Sequence, residues 1–421
     1  MPHAMTSAAP PPATVPTLAG QGPRVIAIAA LLAAAGVPLY IHLPRFAAEL
    51  GLSLGTVAAL LLALRALDFL QDPALGLLVD RYPRQRRALA TLALVGIGAG
   101  FVAVFTLQPA LPGLVAGLVL VFTAYSLGTI LFYGQGAALA GPGGGTAHYR
   151  LAGLREAGTL AGIVAAAVLP EVLARGWGPL GGYAGFGLVL GAAALLVALV
   201  GRRFWGPVVT ERQSLPLRRF LAAGGGRLLL IGLLNTMPVA ITSTLFLFFV
   251  EDRLALPGLA GLYLVLFFAA AGLSAPLWSR LAARFGARRV LLPAMGLAVL
   301  AFLGTGLLPP GAGGRFAVIC LLSGAALGAD MVILPALFAS RLTRANLPAG
   351  TAFGAWSFVA KLALALSAAL VLPALQWAGF TPGGDNPARA LAALNITYAV
   401  LPCALKLPAI ALVARLPGEE V

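Results

Sequence analysis

The sequence predicts an all-α integral membrane protein with twelve spans in two pseudo-symmetric six-helix bundles. Three observations carry that reading. The 421 residues are 60% hydrophobic and only 10% charged, against about 25% charged in soluble domains. Apolar runs of about 20 residues, the length that crosses a hydrocarbon core of ~30 Å, recur twelve times along the chain. The longest polar connection divides them six and six. With a mean hydropathy of +0.96, water alone could not solvate this surface. A soluble core stops growing near ~250 to 300 residues, so lipid has to be the second solvent.

The stretch 1–23 is rich in Pro, Ala and Thr and lacks a basic n-region, so it reads as a disordered cytoplasmic tail and not a cleaved signal. The first half, 24–200, holds runs at Val25–Leu43, Thr56–Val79, Ala88–Leu107, Leu111–Leu139, Ala147–Leu169 and Tyr183–Val200. A polar loop, 201–227, carries Arg202, Arg203, Arg212, Arg218, Arg219 and Arg227. The second half, 228–414, holds runs at Leu228–Val250, Leu259–Trp278, Val290–Leu308, Phe316–Ala339, Thr351–Leu372 and Ala388–Val413, before a short cytoplasmic tail, 415–421.

The net charge of +15 would suggest nucleic acid in a soluble chain, but its placement points to topology. Arg81, Arg84, Arg86 and Arg87, the central loop, Arg280, Arg284, Arg288 and Arg289, and Arg341 and Arg344 fall on one side of the membrane. The other side receives little beyond Arg45, Arg175, Arg253, Arg315 and Arg389. Basic loops stay in the cytoplasm, which predicts a multi-pass protein of a bacterial inner membrane with both termini cytoplasmic. The expected partners are a small-molecule solute and the bilayer, not nucleic acid, and the chain is expected to be monomeric. Cys320 and Cys403 lie in apolar runs without CxxC or His-rich surroundings, so neither a metal site nor a disulfide framework is expected.

An ionisable group at mid-bilayer costs at least ~2.5 to 3.5 kcal/mol, so it pairs, faces a cavity or serves a mechanism. The second run places Arg65, Asp68 and Asp72 on one helical stripe that Gly76 continues. Two acids on adjacent turns repel when both are ionised and so favour a proton or small cation, the chemistry of a cation-coupling site. In the fifth run Arg155 lies roughly 12 Å along the helix, deep enough for a central cavity. Adjacent residues diverge by about 100°, so Arg155 is assigned to cargo and Glu156 to an inter-helix ion pair. The second half contributes Asp330, Lys361 and Lys406; Lys361 is expected to pair with Asp68 or Asp72 across the halves, or alternatively with Asp330. Arg155, Tyr125, Tyr133, Lys361 and Trp356 are the candidate cargo-binding residues, Asn235 could line the cavity from the second half, and His42 reads as an interfacial residue.

The halves echo each other: Gly76, Asp80, Arg81 and Arg84 follow the second run, and Arg280, Arg284, Arg288 and Arg289 follow the eighth. This suggests parallel repeats and resembles the major facilitator superfamily. The resemblance implies a latch between halves in which Asp80 accepts from Arg81 or Arg84 and faces the N-terminus of the eleventh helix. The string Arg65-x-x-Asp68-x-x-x-Asp72-Pro73, with Gly76, Arg155 and Lys361, further resembles the glycoside-pentoside-hexuronide:cation symporters, the melibiose permease-like branch. That implies coordination of H+ or an alkali ion by Asp68 and Asp72, with Ser126 and Thr129 as neutral ligands, no other cofactor, and sugar hydroxyls on Arg155. The fourth run, with Tyr125, Ser126, Thr129 and Tyr133, departs from that branch: Thr129 and Tyr133 stand where it has an acid and a Trp, and the first run also lacks an acid. A galactoside preference is therefore not implied, whereas another small polar or anionic solute is. The expected function is cation-coupled symport. The alternative is a proton-coupled exporter of lipophilic solutes, and an enzyme is disfavoured because no phosphate-binding loop, HExxH or metal-spaced set is present.

Overall fold

The computed structural model describes residues 20–416 apart from 53, 108–109, 142–144, 207–214 and 382–383. Both expected tails fall mostly outside them. Among the described residues twelve long helices follow one another: α1 Gly22–Glu49, α2 Leu54–Arg81, α3 Pro83–Thr106, α4 Leu111–Ala140, α5 Gly145–Gly178 and α6 Leu180–Arg203. The second half contains α7 Gly225–Arg253, α8 Ala260–Phe285, α9 Ala287–Thr305, α10 Gly313–Arg344, α11 Ala349–Trp377 and α12 Ala388–Ala414. Ten of them, α3 to α12, are long and apolar enough to cross a membrane, and α1 and α2, at 28 residues each, have the length.

Most boundaries fall within a few residues of the apolar runs. The fifth helix is the exception, because it continues through Pro170 and Glu171 to Gly178. At φ 71° Gly178 adopts a conformation that a side chain resists, and it turns the chain into α6. The central loop is not wholly irregular. A short helix, Leu217–Ala222, buries Phe220 against Phe338, with ring centroids 6.2 Å apart.

A large buried cluster and a small one around Leu31 and Ala194 lie within the first half, another lies within the second, and one more joins the two around Tyr149, Ala137, Phe338 and Phe353. The joint cluster lies at the end of the bundle that carries the Arg-rich loops, the basic end. Ser279 Oγ donates to the Tyr149 carbonyl at 2.6 Å between α8 and α5, and Thr343 Oγ1 reaches the Ala137 carbonyl at 3.4 Å between α10 and α4. The α2–α11 crossing is closer still: a Cβ on Gly76 would stand 2.7 Å from the Gly350 carbonyl oxygen, and one on Gly354 2.8 Å from that of Asp72. Only glycine admits such an approach of two backbones. The halves are thus zipped together at the basic end.

His42 is not interfacial. It is buried in the first half, 3.2 Å from the Ala166 carbonyl and edge-on to Tyr183 and Phe186.

Candidate functional site

The α2–α11 crossing brings the stranded charges into register. Asp68, Asp72, Gly76 and Asp80 recur every fourth residue and so share one face of α2; Gly350, Gly354, Ser357 and Lys361 form the facing stripe of α11. The Lys361 ammonium lies 3.2 Å from Asp68 Oδ1, 2.9 Å from Asp72 Oδ2 and 3.0 Å from Ser126 Oγ on α4. Ser357 Oγ donates to Asp72 Oδ2 at 2.5 Å, and Gln71, itself held by Thr123, donates to Asp68 Oδ1 at 3.1 Å. Asp72 has no solvent exposure and Asp68 is 2% exposed. Charges this buried persist only when paired and hydrogen-bonded. The Arg65 side chain lies outside the described residues. Thr129, expected beside the carboxylates, instead lines the cavity described below, where its Oγ1 is buried with no hydrogen-bond partner among the described residues.

Three turns along the same stripe, Asp80 caps α11. Its carboxylate accepts from the Gly350 N–H at 2.8 Å, the Thr351 N–H at 2.5 Å and Thr351 Oγ1 at 2.6 Å. A helix N-terminus offers unpaired N–H groups and positive partial charge, so an anion from the opposite half is well placed there. The arginine beside it is neither Arg81 nor Arg84, both of which are exposed. It is buried Arg86, whose Nη2 is 4.0 Å from Asp80 Oδ1. The short helical turn Pro83–Gln85 offsets the phase of α3 from that of α2 and swings Arg86 inward. Asp80→Ala removes three charge-assisted hydrogen bonds, of roughly 1.5 to 3 kcal/mol each when intact. A cysteine at Phe353, now packed on Tyr133 and Phe338, is then expected to react with a thiol reagent at least tenfold faster, since each ~1.4 kcal/mol of latch lost shifts the opening equilibrium tenfold and even one lost bond reaches that. An unchanged labelling rate would show that the cap does not hold the halves together.

Between the halves, above the zipped end, lies a cavity of about 400 Å³, within the ~300 to 1,000 Å³ typical of small-molecule sites. Tyr125, Thr129, Tyr133, Arg155 and Glu156 face it from one half, and Asn235, Asp330 and Trp356 from the other. Arg155 Nε donates to Glu156 Oε1 at 2.9 Å, and its guanidinium carbon stands 4.3 Å over the Tyr133 ring. Glu156 therefore pairs with its own neighbour instead of another helix, because two long side chains close the angle that separates adjacent positions. Arg155 Nη2 also donates to the Met331 carbonyl on α10 at 3.1 Å. Pro335, four residues on, has no N–H to give that carbonyl, so the helix leaves it free for a partner from the opposite half.

Asp330 is not a partner of Lys361. It binds Lys406 of α12 at 2.5 Å, and the same ammonium donates to Asn235 Oδ1 of α7. This cluster escaped the sequence reading, although three polar residues stranded in apolar runs of one half were the available signal. Lys361 itself is engaged by the carboxylates and is not among the residues lining the cavity.

Two six-helix halves meeting around a central cavity with Arg155, Glu156 and Asp330 in its wall are the architecture of a membrane transporter of the major facilitator superfamily. A family profile for MFS/sugar transport proteins matches residues 24–420, and the chain belongs to that family. The comparison with curated proteins finds no match. Among solved structures the chain is similar to a bacterial homologue of the iron transporter ferroportin in the outward-facing state, at 18% identity and TM-score 0.67 over 93% of this chain and 99% of that one. It is also similar to the E. coli fucose:proton symporter, at 15% identity and TM-score 0.69 over 94% and 98%. A third similar structure is a proton:xylose symporter bound to 6-bromo-6-deoxy-D-glucose, at 14% and 0.63 over 94% and 95%. At these identities the likeness speaks for the fold.

Proposed function

We propose that the chain is a secondary active transporter that couples the downhill movement of a cation, H+ in preference to Na+, to import of a small polar solute, a sugar or glycoside. The two halves rock about the midplane cavity and expose it to each side in turn. The observation that carries this reading is the bridge from Lys361 in one half to Asp68 and Asp72 in the other, at 3.2 and 2.9 Å, beside the cavity. A proton arriving at the carboxylate pair removes one of the two negative charges that hold Lys361 and so weakens the bridge. Occupancy of the site then biases the equilibrium between two arrangements of the halves. The ammonium already fills the space between the two acids that an alkali ion would need, and the remaining oxygens, from Ser126 and Ser357, are neutral; both points favour H+. The fold shared with fucose:proton and proton:xylose symporters is in keeping with this choice.

Arg155, Tyr133, Tyr125 and Trp356 are the groups for cargo: a forked donor, hydroxyl-bearing rings and an aromatic face suit a pyranose. The protein is placed in a bacterial inner membrane, as a monomer with the basic end facing the cytoplasm. The zipped basic end then makes this the outward-facing arrangement.

Counterflow in proteoliposomes is the test, comparing labelled D-galactose, gluconate and a cationic dye. Sugar exchange that becomes net accumulation under an inward proton gradient is expected, and Arg155→Lys, which loses the planar fork, should raise the half-saturating concentration about tenfold or more, because an unpaired buried cargo contact costs ~1 to 3 kcal/mol. Extrusion of the dye with no sugar movement would replace the reading by that of an exporter.

A further inference from the structure

The second half holds a charged cluster that cation coupling does not use. Asp330 on α10 is 5% exposed and Lys406 on α12 is 4% exposed. The Lys406 ammonium is shared between Asp330 Oδ2 and Asn235 Oδ1. Asp330 Oδ1 is buried and has no hydrogen-bond partner among the described residues, and Asp330 and Asn235 both line the central cavity. A buried carboxylate oxygen left without a donor costs free energy, and because Asp330 is a residue of the cavity wall, a rotation of its carboxylate presents that acceptor to a ligand. Asn235 has its carbonyl committed to Lys406, so its amide N–H groups are what it can offer.

The opposite wall is built alike. Arg155 and Glu156 form an internal ion pair at 2.9 Å, leaving one carboxylate oxygen of Glu156 uncommitted by that bond. The two walls are physically joined, because Arg155 docks on the Met331 carbonyl, one residue from Asp330. The four charges, Arg155, Glu156, Asp330 and Lys406, sum to zero. An anion would face two carboxylates and a cation two positive groups. A neutral molecule with hydroxyls at both ends meets an acceptor and a donor on each side.

Resting on the symport reading above, we propose that Asp330, set by Lys406 and Asn235, is a second cargo subsite: its free oxygen accepts a hydrogen bond from a hydroxyl of an uncharged, polyhydroxylated cargo whose far end engages Arg155 and Glu156. Cargo bound in this way touches both halves and draws them together.

The test uses the full-length protein in proteoliposomes with labelled D-xylose and D-galactose, and with gluconate and choline as charged probes. Asp330→Asn, which exchanges a charged acceptor for a weaker amide carbonyl, and Asn235→Ala are expected to raise the half-saturating sugar concentration about fivefold or more, while accumulation at saturating sugar under a proton gradient is retained. The double variant Asp330→Asn/Lys406→Met leaves no unpaired buried charge, so it guards against misfolding, and it is expected to show the same weakening. Unchanged half-saturation in both Asp330→Asn and the double variant overturns the subsite while leaving symport intact, and so does uptake of gluconate or choline in preference to both sugars. Failure of every probe to accumulate in the wild type removes the symport reading and this inference with it.

Discussion

Asp72→Asn is expected to abolish proton-driven accumulation while leaving energy-independent exchange within about threefold of wild type, an effect smaller than ~1 kcal/mol. Asp72 is fully buried, receives Ser357 Oγ at 2.5 Å and holds Lys361 at 2.9 Å. Asparagine keeps its shape and its carbonyl can still accept from Ser357, but it neither ionises nor takes up a proton. Lys361 retains Asp68 at 3.2 Å, so the halves still close and cargo still finds its cavity. What disappears is the difference in charge between the two states of the site, and only that difference ties solute movement to the gradient. One pH unit is worth about 1.4 kcal/mol per proton, or a factor of ~10 in solute at one proton per cargo. In vesicles with such a gradient the wild type should approach tenfold accumulation and Asp72→Asn should stop at equal concentrations. Asp68→Asn should behave in the same way, since the two acids share one ammonium. Full accumulation in both variants would remove the carboxylates from the coupling role.

The spans and the division into halves were legible in the sequence because a bilayer imposes a length and because charge is rare within it. Lys361 and the two acids of α2 could be matched for the same reason: few stranded charges leave few partners. Rotational phase was not legible. Whether Arg81, Arg84 or Arg86 turns toward Asp80 depends on the three-residue turn Pro83–Gln85, which no hydrophobic pattern encodes. The cap itself could be anticipated, because an anion just after the second apolar run and the start of the eleventh run at Thr351 are both visible in the chain. Glu156 was misread because backbone angle was used for side chains long enough to overcome it. The carbonyl of Met331 could have been found by counting back from Pro335, but its donor, Arg155, lies 176 residues away, and only the tertiary fold joins them. The length of α5 was hidden by Pro170 and Glu171, which end an apolar run without ending the helix.

Lys361→Ala is expected to be the most damaging single change at the site, and to be partly repaired by a second one. Removing the ammonium leaves Asp68 and Asp72 facing each other, both essentially buried. Breaking a buried pair in this way typically costs about 3 to 5 kcal/mol, because the partner charge stays behind uncompensated. The two acids then hold a proton between them, so the site no longer empties on the side where it should release, and transport stops. Adding Asp72→Asn removes one of the two stranded acids and with it their mutual repulsion, so thermal stability of the purified protein should recover by more than half while accumulation stays absent. The coupling energy between the two positions in a double-mutant cycle is expected to reach ~1 to 3 kcal/mol. Asp330→Asn in the same background should give no repair and should add its own loss, since Asp330 belongs to Lys406 at 2.5 Å. Additive losses for Lys361→Ala with Asp72→Asn, or repair by Asp330→Asn, would mean that the bridge seen between the halves is not the contact that holds them.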